Sequence, residues 1–208
     1  MCCAAVADTR RVKRTAAAAA LSVALLTSAC GAAADGSGST ASPTSAPSGS
    51  TASGATVVTG ERTYAGLARD HVGTPVRYPQ SPPVGGAHSR VWMACDGRIY
   101  DSAIPLEKAV HSLEHGAVWV TWQPSLAPTD VEMLHALIEG VSYRLGSPYP
   151  GLTAVVTVTA WGHQMDADSV SDPRIATFLD AYTNGPQTPE PGATCGDPTG
   201  ASPDVHSG

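Results

Sequence analysis

The chain has 208 residues, with 12 Lys and Arg against 18 Asp and Glu, and a formal net charge of −6. That balance argues against DNA or RNA as a partner, because phosphate binding draws on clustered Lys and Arg. No Walker loop, G-x-S-x-G elbow, C-x-x-C pair or dinucleotide fingerprint occurs, so the common phosphate, acyl-transfer, dithiol and nicotinamide chemistries have no sequence support.

The one basic cluster, Arg10, Arg11, Lys13 and Arg14, precedes an apolar run over residues 16–26. At 11 residues that run is too short to span a bilayer, which takes about 20. A basic segment, a short apolar segment and small residues before a cleavage point make a secretory signal over residues 1–29. The segment ends Leu26-Thr27-Ser28-Ala29-Cys30, which is similar to a bacterial lipobox, with Thr27 where Leu is commonest. The expectation is a lipid on Cys30 and a protein held at the extracytoplasmic face of the cell membrane, or secreted if Cys30 is not lipidated. Arg10-Arg11 suits twin-arginine export, but an apolar residue which that motif wants is missing, and the sequence does not separate that route from the general secretory one. Removing residues 1–29 takes away four basic residues and one acidic one, leaving 179 residues with a net charge of −9.

Residues 30–60 form the lipidated cysteine and a linker, in which residues 31–56 are Gly, Ala, Ser, Thr and Pro apart from Asp35. So little apolar surface predicts disorder. A globular domain is expected over residues 61–197 and a tail over residues 198–208. The domain is long enough to bury a core without help from metals or many disulfides. Its two cysteines, Cys95 and Cys195, are most simply a disulfide in an exported protein, with Cys95 as a metal ligand the rival reading.

Within the domain, the Pro- and Gly-rich stretch from 71 to 95 reads as an ordered loop region. Pro105 can start a short helix with Leu106, Val110 and Leu113 on its inner face. Residues 117–122 and 154–160 are rich in Val, Thr and Trp, as strands are. Between them Thr129-Asp130-Val131-Glu132 fits a capping box, Val131, Leu134, Leu137, Ile138 and Val141 recur at helical spacing, and Gly140 can end the helix. A further helix begins at Asp172 with Pro173 in its first turn, buries Ile175, Phe178, Leu179 and Tyr182, and ends near Gly185. Strand, helix, strand, helix in order predict one compact α+β or α/β domain, a small sheet flanked by two to three helices.

The densest polar signal is His111-Ser112-Leu113-Glu114-His115-Gly116. One helical turn sets His111 and His115 on the same face, a spacing that chelates transition metals. Glu114 completes H-x-x-E-H, the inverted zinc-peptidase motif, with Glu190 downstream where such enzymes supply an acidic ligand. Gly116 and the strand after it interrupt the helix such a peptidase continues. His88 is the next candidate ligand, and His71, His163 and Met165 are outer ones. His135 and His206 are excluded, as helix surface and tail. Histidine with methionine in an exported protein favours copper slightly over zinc. Three functions follow: a metal-binding envelope protein, a zinc-dependent hydrolase with Glu114 as base, or a non-catalytic scaffold whose histidines brace loops. Protein partners are not specified.

One ordered set of motifs resembles a known family. It runs from Tyr78-Pro79 and Pro82-Pro83 through Gly85-Gly86-Ala87-His88, Trp92, Cys95 and Tyr100-Asp101 to the histidine segment from Val110 to Val118. Ala160-Trp161-Gly162 and Pro189-Glu190-Pro191-Gly192-Ala193 complete it. This resembles, over about residues 64–196, a bacterial family of exported or membrane-attached proteins known as domain of unknown function 3105. The resemblance implies export and one compact domain, and brings no catalytic residue with it.

Overall fold

The computed structural model describes residues 58–198. The expected signal segment, Cys30, the expected linker before residue 58, nearly all of the expected C-terminal tail and His206 lie outside the described residues. Among the described residues the elements are β1 Arg62–Thr63, β2 Asp96–Ile99, α1 Leu106–Glu114, β3 Val118–Trp122, α2 Pro128–Ile138, β4 Arg144–Pro148, β5 Val156–Ala160, β6 His163–Ala167 and α3 Pro173–Tyr182. No helix among them is long and apolar enough to cross a membrane.

The strands form one sheet in the order β1-β6-β5-β3-β4-β2. Pairing is antiparallel from β1 to β3 and parallel from β3 through β4 to β2. The parallel β3–β4 pair is joined by α2, as a parallel connection requires a crossover. Helices cover both faces of this mixed sheet, giving a compact α+β domain.

Alternation along the central strands divides two cores. Val118, Val120 and Trp122 of β3 and Val156, Val158 and Ala160 of β5 pack with Leu134 and Ile138 of α2 and Ile175, Phe178, Leu179 and Tyr182 of α3. On the opposite face Trp119 and Leu145 pack with Ala109, Val110 and Leu113 of α1 and with Trp161. Because both faces are covered, β3 and β5 are buried throughout. The threonines on the α1 face are satisfied inside it. Thr121 Oγ1 donates to the Thr157 carbonyl at 2.9 Å, and Gln164 Nε2 donates to Thr159 Oγ1 at 3.2 Å and to the Pro82 carbonyl at 2.9 Å. Burial of these groups is therefore compatible with a stable core, and the last bond fastens the Pro-rich loop to the sheet.

The helix at 172 starts as expected: Asp172 caps it, its carboxylate accepting the Arg174 N–H at 2.9 Å. The capping box at Thr129 does not form. α2 begins two residues earlier than a Thr129 cap would start it, at Pro128, after Ala127 and without a side-chain cap. Proline is pre-organised for the first helical position and has no N–H there to satisfy, which puts Thr129 inside the helix. Val141 falls beyond the helix and is exposed. Four strands lack a sequence signature: β1 is Arg-Thr, β2 is Asp-Gly-Arg-Ile, β4 is Arg-Leu-Gly-Ser-Pro and β6 is His-Gln-Met-Asp-Ala. Gly146 in β4 is required by close packing, since a Cβ there would stand 2.7 Å from Ile138 Cδ1 and 2.9 Å from Trp122 Cζ3.

Cys95 and Cys195 are joined, closing a sequence separation of 100 residues, and the Cys95 N–H donates to the Cys195 carbonyl at 2.7 Å. The bond occupies the Cys95 sulfur, so the rival reading of Cys95 as a metal ligand is not the arrangement adopted. It also holds the segment after α3 against the end of α1.

Candidate metal centre

α1 delivers His111 and Glu114 in its last turn, three residues apart and so on one face. The helix stops where Gly116 takes φ +103°, and a Cβ there would meet Thr188 Oγ1 at 2.8 Å. The loop region supplies the other side. His71 and His88, 17 positions apart, are brought together by an isolated parallel bridge, in which the Val72 N–H donates to the His88 carbonyl at 2.7 Å and the His88 N–H to the Asp70 carbonyl at 2.9 Å. This bridge is clamped to α1 by Ser112 Oγ, which donates to the Met93 carbonyl at 2.7 Å, and by Glu107, which accepts the Val76 N–H at 2.9 Å.

The three imidazoles form a nearly equilateral triangle. Their centroids are 4.8 Å apart for His71–His88, 4.8 Å for His71–His111 and 4.9 Å for His88–His111. With Glu114 they offer one donor atom each, all within 4.8 Å of one another. Two ligands held about 2.0–2.2 Å from one ion stand roughly 3–4 Å apart, so the four donors would draw together slightly around a single ion. Trp161 lies against His88 with centroids 5.9 Å apart, and Trp92 lies 5.5 Å from His111 and 4.9 Å from His115.

Each of three histidines points its Nδ1 at a backbone carbonyl: His88 at Gly86, His111 at Ser89 and His115 at Thr194, all at 2.7 Å. A carbonyl only accepts, so Nδ1 carries the proton and Nε2 presents a lone pair when the ring is neutral. This is the tautomer-fixing bond that metal-bound histidines make. Burial pushes the His111 imidazole down to about 4, helped by its neighbour His115 and outweighing the Ser89 bond that raises it. Its lone pair is therefore free near neutrality.

Glu114 is 1 % exposed. A buried carboxylate requires compensation, and Arg69 provides it on one oxygen, Nε donating to Oε1 at 2.8 Å. The other oxygen, Oε2, lies 2.8 Å from His88 Nε2 and 3.8 Å from His71 Nε2. Neither Glu114 Oε2 nor His88 Nε2 has a hydrogen-bond partner. With the His88 proton on Nδ1, two lone pairs face each other across 2.8 Å in a buried space. The arrangement is repulsive unless a cation, a proton or a metal ion, sits between them.

A second group adjoins the first: His111, His115 and Glu190 also offer donor atoms within 4.8 Å of one another. The His111 and His115 rings are 4.5 Å apart, and Glu190 Oε2 is 3.8 Å from His115 Nε2.

The structure thus gathers His71, His88, His111 and His115. It does not bring His163 or Met165 to them. Met165 is fully buried in the core on the α2–α3 face. His163 belongs to a different cluster, with Nδ1 2.6 Å from Glu61 Oε1 and its ring stacked 4.4 Å from that of Tyr182. With Met165 elsewhere, the sequence argument for copper over zinc loses its thioether. Three participants had no sequence signal as site residues: Arg69, the carbonyls that fix the tautomers, and Trp92 as a wall. Glu114 read as a base only, although its place three residues after His111 on a helix already put it beside that ring.

The Glu61 cluster yields a pH prediction. Burial raises the Glu61 carboxyl, but hydrogen bonds from His163, Tyr182 and the Val58 N–H outweigh it, leaving the group below its ordinary 4.5. A depressed carboxyl contributes stability above its unfolded value, and that stability is lost as pH falls through the folded value. The melting temperature should therefore fall below about pH 4.5 in the wild type, and fall less steeply in Glu61→Gln. Parallel melting curves for the two from pH 6 to 3 would refute the assignment.

Residues 71–197 match the model of the family described as Protein of unknown function (DUF3105), and the chain belongs to that family. No curated protein and no solved structure matches it.

Proposed function

We propose that this protein binds one divalent transition-metal ion, zinc or copper, through His71, His88, His111 and Glu114. We further propose that it does so outside the cytoplasm, held to the membrane by lipid on Cys30. The observation that carries the metal reading is the buried, bond-less pair of His88 Nε2 and Glu114 Oε2, 2.8 Å apart, because an ion between them turns a repulsion into two bonds. Three further features support it. Backbone carbonyls set the Nε2 lone pairs of His88 and His111 toward the ion. The ion would stand at the C-terminal end of α1, where the helix dipole favours positive charge. Imidazole and carboxylate donors suit both zinc and copper(II). The disulfide agrees with an oxidising compartment.

The test is the metal content of protein purified from its own envelope. One ion per chain is expected. Stripping it should lower the melting temperature by about 10–15 °C, the consequence of losing roughly 4 kcal/mol of ligand stabilisation at a thousandfold excess over Kd. Protein that carries no metal, takes none up and melts at the same temperature with or without chelator defeats the proposal and leaves the scaffold reading.

A hydrolase reading has one observation in its favour, the grouping of His111, His115 and Glu190 at the spacing of the inverted zinc-peptidase motif. Against it, one Glu114 oxygen is held by Arg69 and the other faces His88 Nε2 rather than an open position. Glu114→Gln separates the two. Under the binding proposal it weakens metal affinity. Under the hydrolase reading it leaves the metal bound and abolishes turnover of peptide or ester substrates.

A further inference from the structure

Two donor groups share one histidine. His71, His88, His111 and Glu114 form an inner group, and His111, His115 and Glu190 an outer one. His111 has committed Nδ1 to the Ser89 carbonyl at 2.7 Å, so it has a single lone pair, on Nε2, to give. One nitrogen lone pair serves one ion. The two positions are therefore alternatives for the same ion rather than halves of a binuclear centre.

The groups differ in access and in donor number. Glu190 is 41 % exposed, while His88 and Glu114 are 0 % and 1 % exposed. The outer group offers three donors and the inner one four. Arg69 spans both carboxylates, with Nε 2.8 Å from Glu114 Oε1 and Nη2 3.5 Å from Glu190 Oε1. The longer contact is the one an ion arriving at Glu190 would displace, and the shorter one still leaves Glu114 Oε2 for the inner position. The outer donors are carried by one segment: the Glu190 N–H donates to the Glu114 carbonyl at 3.1 Å, and Thr194, next to the disulfide, accepts from His115.

Resting on the metal-binding reading above, we propose that the site is a two-position relay. A divalent ion loads from solvent at Glu190, His115 and His111. It then moves inward as His111 keeps it and Glu190 and His115 are exchanged for His88, Glu114 and His71. His71, 32 % exposed, gives the inner position a direct opening, and this is the competing route.

The experiment is stopped-flow loading of the metal-free full chain with copper(II) as its glycine complex, read by quenching of tryptophan fluorescence, with Trp92 against both positions. The wild type should take up one ion. Glu190→Gln and His115→Ala should load slower by on the order of tenfold, as expected when a charged approach is removed, yet end at one ion with Kd within about threefold of the wild type. His115→Ala also loses the bond to Thr194, so Glu190→Gln, whose side chain is partly in solvent, keeps the test valid if the first variant misfolds. Loading of Glu190→Gln at the wild-type rate overturns the relay in favour of direct access past His71. Two ions bound together in the wild type overturn it in favour of separate sites. No uptake by the wild type defeats the metal-binding reading itself, a distinct outcome.

Discussion

His111→Ala should abolish metal binding altogether, because His111 is the donor common to both groups. Loss of an outer-shell partner of a metal site costs roughly 10–100-fold in affinity. Loss of this ligand should exceed that range, since no other imidazole can replace it in either group. His115→Ala should fall short of it, keeping close to wild-type affinity, because the inner group of four is untouched. Titration of both variants against a chromophoric chelator gives the comparison. Equal losses in the two would mean that the outer group is the real site, and that Glu114 and His88 are bystanders. The His111→Ala variant should also lose a little stability apart from any ligand effect. A buried imidazole desolvated without metal is a liability, so metal-free His111→Ala should be destabilised by no more than about 1–3 kcal/mol, the range for an interrupted buried hydrogen bond. The scaffold reading predicts that this stability loss is the variant's whole phenotype.

Cys195→Ser should have the largest effect on stability. Closing a loop of about 100 residues is worth about 4–5 kcal/mol in the chain-entropy model, and removal of native disulfides typically costs 2–5 kcal/mol. A lowered urea midpoint with a steeper slope is the expected measurement, because the unfolded chain without the cross-link exposes more surface. The structural consequence is local as well. Cys195 anchors the segment that presents Glu190 to the outer group and the Thr194 carbonyl to His115. Freed of that anchor, the outer donors should loosen while His71, His88 and Glu114, held by α1 and by the loop bridge, keep their places. Native-state hydrogen exchange should show protection lost at 189–196 and retained at 109–113. Uniform loss across the domain would mean that the disulfide supports the core rather than the segment.

Much of the architecture was legible because it repeats a local rule. α3 announces itself through Asp172, Pro173 and a stripe at 175, 178, 179 and 182, and each of these has the role its position implies. β3 and β5 are legible because strands buried on both faces are rich in β-branched and aromatic residues. β1, β2, β4 and β6 were not. Gly146 and Pro148 are poor strand formers, and they are strand residues only because β3 pairs with both and β2 with Gly146. Their conformation is decided by neighbours distant in the chain, which no local window contains. The shift of α2 by two residues has a local cause that competing signals obscured: two good starts, Pro128 as a first helical residue and Thr129 as a cap, lay side by side.

The candidate site divides the same way. Sequence alone determined that His111, Glu114 and His115 share one end of a helix, because helical periodicity is a property of adjacent residues. It also made a Cys95–Cys195 disulfide the simpler of two readings, which the structure adopts, and it carried the resemblance that the family match bears out. Only the tertiary structure decided which other histidines join them. His71 and His88 arrive through a bridge between loop segments, whereas His163 turns to Glu61 and Tyr182, and Met165 goes to the opposite core. The tertiary structure also decided the charge environment, by setting Arg69 on Glu114 and Glu114 against His88. The physical reason is that a metal site is a convergence of lone pairs. Tautomer and direction are set by carbonyls such as those of Gly86 and Ser89, and a carbonyl is the one polar group that every residue has and no sequence distinguishes.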